Sequence, residues 1–409
     1  MEFDESSLYN IKSNYQGHRY SLFDLATWKN GLAFKKIDFA DSGMPVIKIA
    51  ELNNGISANT AFTQGKYGDE VFLRWDDLLF SWSGNPQTSI DVYRYRLQEG
   101  WLNQHIFKVT ANETIVTKDY LYYVLKFLKP HFTQIATNKQ TTGLGHVTIA
   151  DLKRMSLIVP AKDEQKRIAL FLKTIDEKIE VNTNINDNLA AQIETFLLAY
   201  LDSEGALPVK LGDYLYIKGR IGWKGLKKSE YLPQSEYRII NGETLTQSGI
   251  DWNKAGYISE ERYIESPEIM LNVGDILLSK DGTIGKIGYV DSLELPTSVA
   301  SGIFVIRNTK PDIISTTFIY YLLKSRLFTS FIAARTEGSV IPHLYQKDFM
   351  EFEFPLPTAE KMAEFEVVVE PMFSQIVNNL NENKKLAALR DNLLPKLMSG
   401  ELDVSELDL

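Results

Sequence analysis

The chain repeats itself, and the period is too long for a stack of small repeats. Asn182–Ala190 reads NTNINDNLA, and Asn379–Ala387, 197 residues further on, reads NLNENKKLA. Trp75–Gly84 (WDDLLFSWSG) resembles Val273–Gly282 (VGDILLSKDG), and Gln104–Thr110 (QHIFKVT) resembles Ser301–Arg307 (SGIFVIR). Tyr120–Lys126 (YLYYVLK) resembles Phe318–Lys324 (FIYYLLK), and Thr142–Pro160 resembles Glu337–Pro357. Near the starts, Tyr20–Leu25 (YSLFDL) and Val209–Tyr214 (VKLGDY) match at an offset of only 189, so the second copy carries a longer early loop. A solenoid repeats every ~20–50 residues. This period instead reads as two copies of one globular unit, each followed by a helix.

Within each unit the text is strand-like. VIKIAEL and YRIINGE read as short strands, and DDLLF and GDILLS are apolar runs ended by glycine-containing turns. One short helix follows (YLYYVLKFLK or FIYYLLKSRLF), and a last strand ends at Pro160 or Pro357. The expected architecture is α+β: two similar α/β units, residues 17–160 and 208–357, with helical segments 161–207 and 358–409 and an N-terminal tail, 1–16.

The helical segments carry a seam. Apolar residues fall at Ile168, Leu172, Ile175 and Ile179, then at Leu189, Ile193, Phe196 and Tyr200, alternating steps of four and three. The positions between are Asn182 and Asn186. The second seam runs Phe365, Val369, Met372, Ile376, then Asn379 and Asn383, then Leu386, Arg390, Leu393 and Leu397. The asparagines occupy the same slots. An amide at a seam position weakens packing but penalises wrong registers, because only the right one pairs it. Two asparagine pairs in equivalent slots suit two long helices packed about a pseudo-two-fold axis. The other reading is a locally solvated helix centre. Pro371 is expected to kink the second helix or mark its start. If the ends of the second unit lie close together, the second helix runs back along the first as an antiparallel coiled coil. At about 35–40 residues, each helix would then span roughly 50–60 Å, with one unit at either end.

Net charge is −9 over 409 residues, which at first argues against nucleic acid. Its distribution matters more. Residues 17–160 carry 16 Lys+Arg against 13 Asp+Glu, and residues 208–357 carry 17 against 18. The acidity sits in the tail and the helical segments, so any basic face on the two units is local. Cysteine is absent, which fits a reducing compartment. The start shows no signal-peptide pattern, and no run approaches the ~18 apolar residues of a membrane helix. The expected location is the cytoplasm.

These pieces, in this order and twice over, resemble the specificity subunits of type I restriction–modification enzymes. Gly274–Ile287 (GDILLSKDGTIGKI) resembles the turn of their target-recognition domains, Ile158–Leu172 (IVPAKDEQKRIALFL) the start of their spacer helix, and Leu389–Leu402 (LRDNLLPKLMSGEL) their C-terminal signature. There are departures. The second spacer starts LPTAEKMAEF without the Glu-Gln pair, and the first ends in a degenerate form, IETFLLAYLDSEG. The first turn has Trp82 and Pro86 where the second has Lys280 and Ile284. The resemblance implies a non-catalytic subunit that reads a bipartite duplex DNA target, one recognition domain per half. It implies assembly with two modification (methyltransferase) subunits, which carry S-adenosylmethionine and methylate adenine. Restriction (motor/nuclease) subunits driven by ATP and Mg can also join. No cofactor is expected on this chain itself.

The residues contain no obvious catalytic centre. An Asn-Pro-Pro-Tyr methyltransferase motif is absent, and GTIGKIG (Gly282–Gly288) lacks the spacing of a phosphate-binding loop. Pro311–Ile314 (PDII) is not followed by the elements of a nuclease centre. His18, His105, His131, His146 and His343 show no metal-ligand spacing. For DNA contact, polar and basic loop residues are the candidates. The first unit offers Lys35, Lys36, Arg74, Ser81, Trp82, Ser83, Asn85, Gln87, Arg94, Arg96, Asn138, Lys139, Gln140, Thr141, Thr142 and His146. The second offers Lys218, Arg220, Lys224, Lys227, Lys228, Ser279, Lys280, Asp281, Thr283, Arg335, Glu337, Ser339, His343 and Tyr345. The turns and the loops at Gly143 and Gly338 stand out, because their position and polarity recur. The competing readings are a scaffold in which two binding modules on a coiled coil hold protein partners and, behind it, an enzyme.

Overall fold

Each copy builds the same four-stranded antiparallel sheet, wired in the same order, beside a second sheet with a parallel pair. The computed structural model describes residues 5–140, 143–220, 225–246, 249–281, 283–336 and 344–403. It divides into two units, Met1–Glu180 with Asn383–Leu409, and Val181–Glu382.

In the first unit, Ala26–Asn30, Ile106–Ala111, Leu78–Ser81 and Asp91–Arg94 form an antiparallel sheet in that spatial order. A second sheet runs Phe62–Thr63, Met44–Ile47, Gly100–Leu102, Phe72–Leu73, with its middle pair parallel. The run VIKIAEL is therefore strand only to Ile47; Ile49–Asn54 is helical. Strands His18–Ser21 and Ser156–Val159 pair antiparallel. Two helices, Lys118–Phe127 and Lys129–Asn138, stand where the sequence suggested one. Thr117 caps the first through Tyr120 N, and Pro130 opens the second, where its missing N–H costs nothing.

The second unit repeats this plan. Leu215–Gly219, Ile303–Asn308, Ile276–Ser279 and Ile287–Tyr289 reproduce the four-stranded order. Gly256–Ile258, Tyr237–Ile240 and Thr297–Val299 reproduce the second sheet with its parallel pair. Leu207–Lys210 pairs with Glu353–Leu356. The helices are Thr316–Lys324, capped by Ser315, and Arg326–Thr336.

The long helices are Lys162–Leu201 and Ala359–Ser399, and each contributes one end to each unit. In the first unit, Ile168 and Leu172 share a core with Leu397 and Met398, and Arg390 Nη1 meets Asp176 Oδ1 at 2.8 Å. In the second, Ile193 and Leu197 pack with Phe365, Val369, Phe373 and Ile376. Asn379 Nδ2 donates to Asn186 Oδ1 at 2.8 Å, and Tyr200 meets Phe365 edge-on at 5.6 Å. As numbers rise on one helix they fall on the other in both units, so the packing is antiparallel. The seam is as expected up to Ile193, after which Leu197 and Leu201 are the deeply buried residues while Phe196 and Tyr200 lie half-buried. Asn186 and Asn379 thus form a direct asparagine pair. Asn182 donates to Glu382 Oε2 at 2.7 Å, and Asn383 donates to the Ile179 carbonyl at 3.4 Å.

Three local expectations change. The helix starts at Ala359 and continues past Pro371, so the proline does not mark its start; the carbonyl it frees belongs to Val367, which is 77% exposed and open to water. Residues read as an N-terminal tail are packed instead. Leu8, Ile11 and Tyr15 join the first core, Asn14 N donates to Ser399 O at 2.7 Å, and the Tyr15 hydroxyl donates to Leu397 O. The Glu-Gln pair has a structural use. Gln165, 1% exposed, accepts from Thr117 N and donates to the Ile115 and Pro160 carbonyls, tying the helix start to the unit. Its counterpart Met362 needs no such bonds, because it lies within the second apolar core.

Candidate nucleic-acid interface

In the first unit, the central strand Leu78–Ser81 runs into a turn that the fold pins from three sides. The Ser81 hydroxyl donates to Ser89 O and accepts from Asp91 N at 3.0 Å. Asn85 Oδ1 accepts from the Gln87 and Thr88 amides, an Asx turn. Ser83–Gly84 pairs antiparallel with Gly145–His146. The two regions that stood out in the sequence, the turn and the segment after Gly143, are thus hydrogen-bonded to each other. A Cβ on Gly145 would lie 2.2 Å from the Ala136 carbonyl, so the strand rests directly on the helix Lys129–Asn138.

Trp82 sits at the centre of this arrangement. Its N donates to His105 O at 3.1 Å, and its O accepts from Val147 N at 2.8 Å. Its indole stacks on Phe107 at 5.6 Å and donates from Nε1 to Asn30 Oδ1 at 2.9 Å. The His105 ring lies 5.3 Å away on a residue at φ 73°. Asn30, Asn85, Gln87, Gln104, His105 and His146 are exposed, and they surround the indole or lie in the segments that Trp82 adjoins. Asn30, Gln104 and His105 were not among the residues expected here. Only the sheet register, Phe107 opposite Asn30, brings Asn30 to the tryptophan.

The second unit reproduces the wiring around Lys280. Its N donates to Gly302 O at 2.9 Å, and its O accepts from Leu344 N at 3.0 Å. The Ser279 hydroxyl donates to Thr283 O and accepts from Lys286 N, closing the turn as Ser81 does. Lys280 Nζ lies 5.0 Å over Phe304, the ring equivalent to Phe107.

The remaining candidates divide by what they already bind. Ser81 and Ser279 are buried turn closures with no exposed hydroxyl to offer a ligand, which corrects their reading as contacts. Arg220 is corrected too. At 2% exposed, it donates to Val299 O and to the Ser266 and Ser298 hydroxyls, and burial together with nearby Arg262 lowers its pKa. Arg94 is bound to Asp119 at 2.7 Å and covers the Tyr122 ring. Arg96 holds Asp76, Arg74 holds Asp69, and Arg335 holds Asp348. Lys139 grips Asp151. Burial alone would raise that carboxyl's pKa, but Lys139 and Thr148 outweigh it and leave it lowered.

Lys35, Lys36, Ser83, Asn85, Gln87, Asn138, Gln140 and His146 are exposed or half-exposed in the first unit; Asn138 accepts from Gln134. Lys218, Lys227, Lys228, Lys280, Asp281, Thr283 and Tyr345 are so in the second, with Lys228 beside Glu243. Thr141, Thr142, Lys224, Glu337, Ser339 and His343 lie outside the described residues. Among the described residues no group of His, Asp or Glu could hold a metal ion, and no helix is long and apolar enough to cross a membrane.

Comparison with known proteins agrees with this duplicated arrangement. The specificity subunit of the type I restriction enzyme MjaVIII of Methanocaldococcus jannaschii is 23% identical over 387 residues, covering 89% of this chain and 87% of that one. The EcoBI specificity subunit of Escherichia coli is 23% identical over 464 residues, covering 100% and 96%. The crystal structure of the type I restriction–modification S subunit from M. genitalium superposes with a TM-score of 0.54 at 20% identity, over 95% of this chain and 97% of that one, a likeness of fold. The family described as the type I restriction modification DNA specificity domain matches residues 18–191 and again residues 208–389, and the chain belongs to that family.

Proposed function

We propose that this chain reads a bipartite duplex DNA target, one unit per half, and docks two modification subunits and, where they are present, restriction subunits. As a specificity subunit it is a non-catalytic member of a type I restriction–modification system. S-adenosylmethionine, ATP and Mg belong, in this reading, to its partners.

The observation that carries the bipartite reading is the pair Trp82 and Lys280. The two units keep the same backbone bonds at this position and present different chemistry there. Duplicated scaffolds with unlike tips suit two unlike half-sites, because base edges are told apart by side-chain donors, acceptors and apolar groups.

Methylation mapping in cells carrying the subunit and its methyltransferase tests this. The expected motif is two short specified blocks around an unspecified gap. Exchanging residues 208–357 for those of a relative should change one block only. A change in both blocks refutes independent reading. Binding of the assembled complex to duplex DNA should weaken steeply with salt as phosphate contacts are screened. Salt-insensitive or absent DNA binding would favour a protein scaffold instead.

A further inference from the structure

We infer that the residue immediately after the central strand selects a base pair in each half-site, Trp82 in the first unit and Lys280 in the second, with Lys280 reading a guanine. This rests on the DNA-reading function proposed above and names the residues that would give each unit its preference.

Two positions vary together across a ring that stays the same. Sheet register makes Phe107 and Phe304 equivalent rings, with Asn30 opposite the first and Gly219 opposite the second. In the first unit, the indole lies on Phe107 and its Nε1 is taken by Asn30. In the second, Lys280 Nζ lies 5.0 Å over Phe304, and a Cβ on Gly219 would come within 3.3 Å of it. A side chain at Gly219 would crowd the ammonium. The cross-strand residue is thus matched to its neighbour in each unit: an amide where there is an indole to hold, and no side chain where an ammonium passes.

A packing role would need neither match, since both tips are half-exposed. Lys280 Nζ has no carboxylate partner among the described residues, unlike Arg94, Arg96, Lys139 and Arg335. It is a cation held over a ring. In the major groove, the acceptor pair O6 and N7 of guanine is the base edge that a lysine recognises. The tip of the first unit is different in kind. It offers an indole edge, with the Asn30 carboxamide oriented by its bond to Nε1, so its preference should differ.

The test uses the complex with modification subunits and duplexes carrying the mapped target, with each base pair replaced in turn. Lys280→Ala should lose on the order of ten-fold discrimination at one G·C pair in one half, and leave the other half unchanged. Lys280→Arg should keep guanine at that position. Trp82→Ala should relax one pair in the opposite half. Lys280→Met keeps an apolar stem and serves if the alanine variant misfolds. Equal weakening at every base pair, with a shallower salt dependence, would make Lys280 a phosphate contact and overturn the inference. So would unchanged discrimination. A wild-type complex with no bipartite target would instead sink the underlying reading; a wild-type bipartite target that is indifferent to these variants sinks only this one.

Discussion

Asn379 donates its side-chain amide to Asn186 Oδ1 at 2.8 Å, with both residues buried in the seam of the long helices. The pair is closed on both sides. Gln375 Nε2 donates to Asn379 Oδ1 at 2.7 Å, and Asn186 Nδ2 reaches the Ile376 carbonyl at 3.4 Å. An apolar seam could slide by a heptad with little penalty; this one would strand two buried amides.

Asn186→Leu alone should therefore lower stability by about 1–3 kcal/mol, since it leaves Asn379 without its acceptor. The double variant Asn186→Leu/Asn379→Leu should recover that loss or exceed the wild type in thermal unfolding, while assembly becomes less uniform. If the two losses simply add, the pair is not coupled.

Asp91 gives the first unit an acid-sensitive point. Burial raises its pKa, but Lys126, Lys129 and the Val92 N–H outweigh that and leave it lowered. A lowered folded pKa contributes stability that is present above the unfolded value, about 3.9, and is lost as pH falls through the folded one. The stability advantage of wild type over Asp91→Asn should hold at neutral pH and shrink below about pH 4. Chemical denaturation across that range reads it; a constant difference would rule the linkage out.

Gly145→Ala should damage the turn region. The added methyl would meet the Ala136 carbonyl at 2.2 Å, which backbone must relieve. A loss of about 1–3 kcal/mol is expected, with weaker recognition of one half-site. An unchanged melting temperature and unchanged methylation would show that the strand is free to move off the helix.

The helices should set the gap. Four residues inserted at matched points in Lys162–Leu201 and Ala359–Ser399 add roughly 6 Å and keep most of the seam in phase. At ~3.4 Å per base pair, the gap should grow by one or two base pairs with both blocks unchanged. Two residues inserted instead turn the seam by about 200° and should abolish binding or folding. An unaltered gap at full activity in the four-residue variant would show that other elements determine it.

The sequence by itself determined the duplication, the long helices and the family. Those follow from local pattern: the same apolar runs return after 197 residues, and steps of four and three mark one helix face. It also located the turns at Trp82 and Lys280, because a glycine-ended apolar run is a local signal. Tertiary structure alone decided which polar residues are free to act. Arg220 and Lys218 stand two apart and look alike in sequence, yet Arg220 is bound to Ser298 and Val299, some eighty positions on, while Lys218 is exposed. Trp82 meets Asn30 across 52 residues, and only the sheet register places them together. Periodicity is written in neighbours along the chain. Exposure and hydrogen-bond partners depend on segments far apart in sequence, and are fixed only when the sheets close.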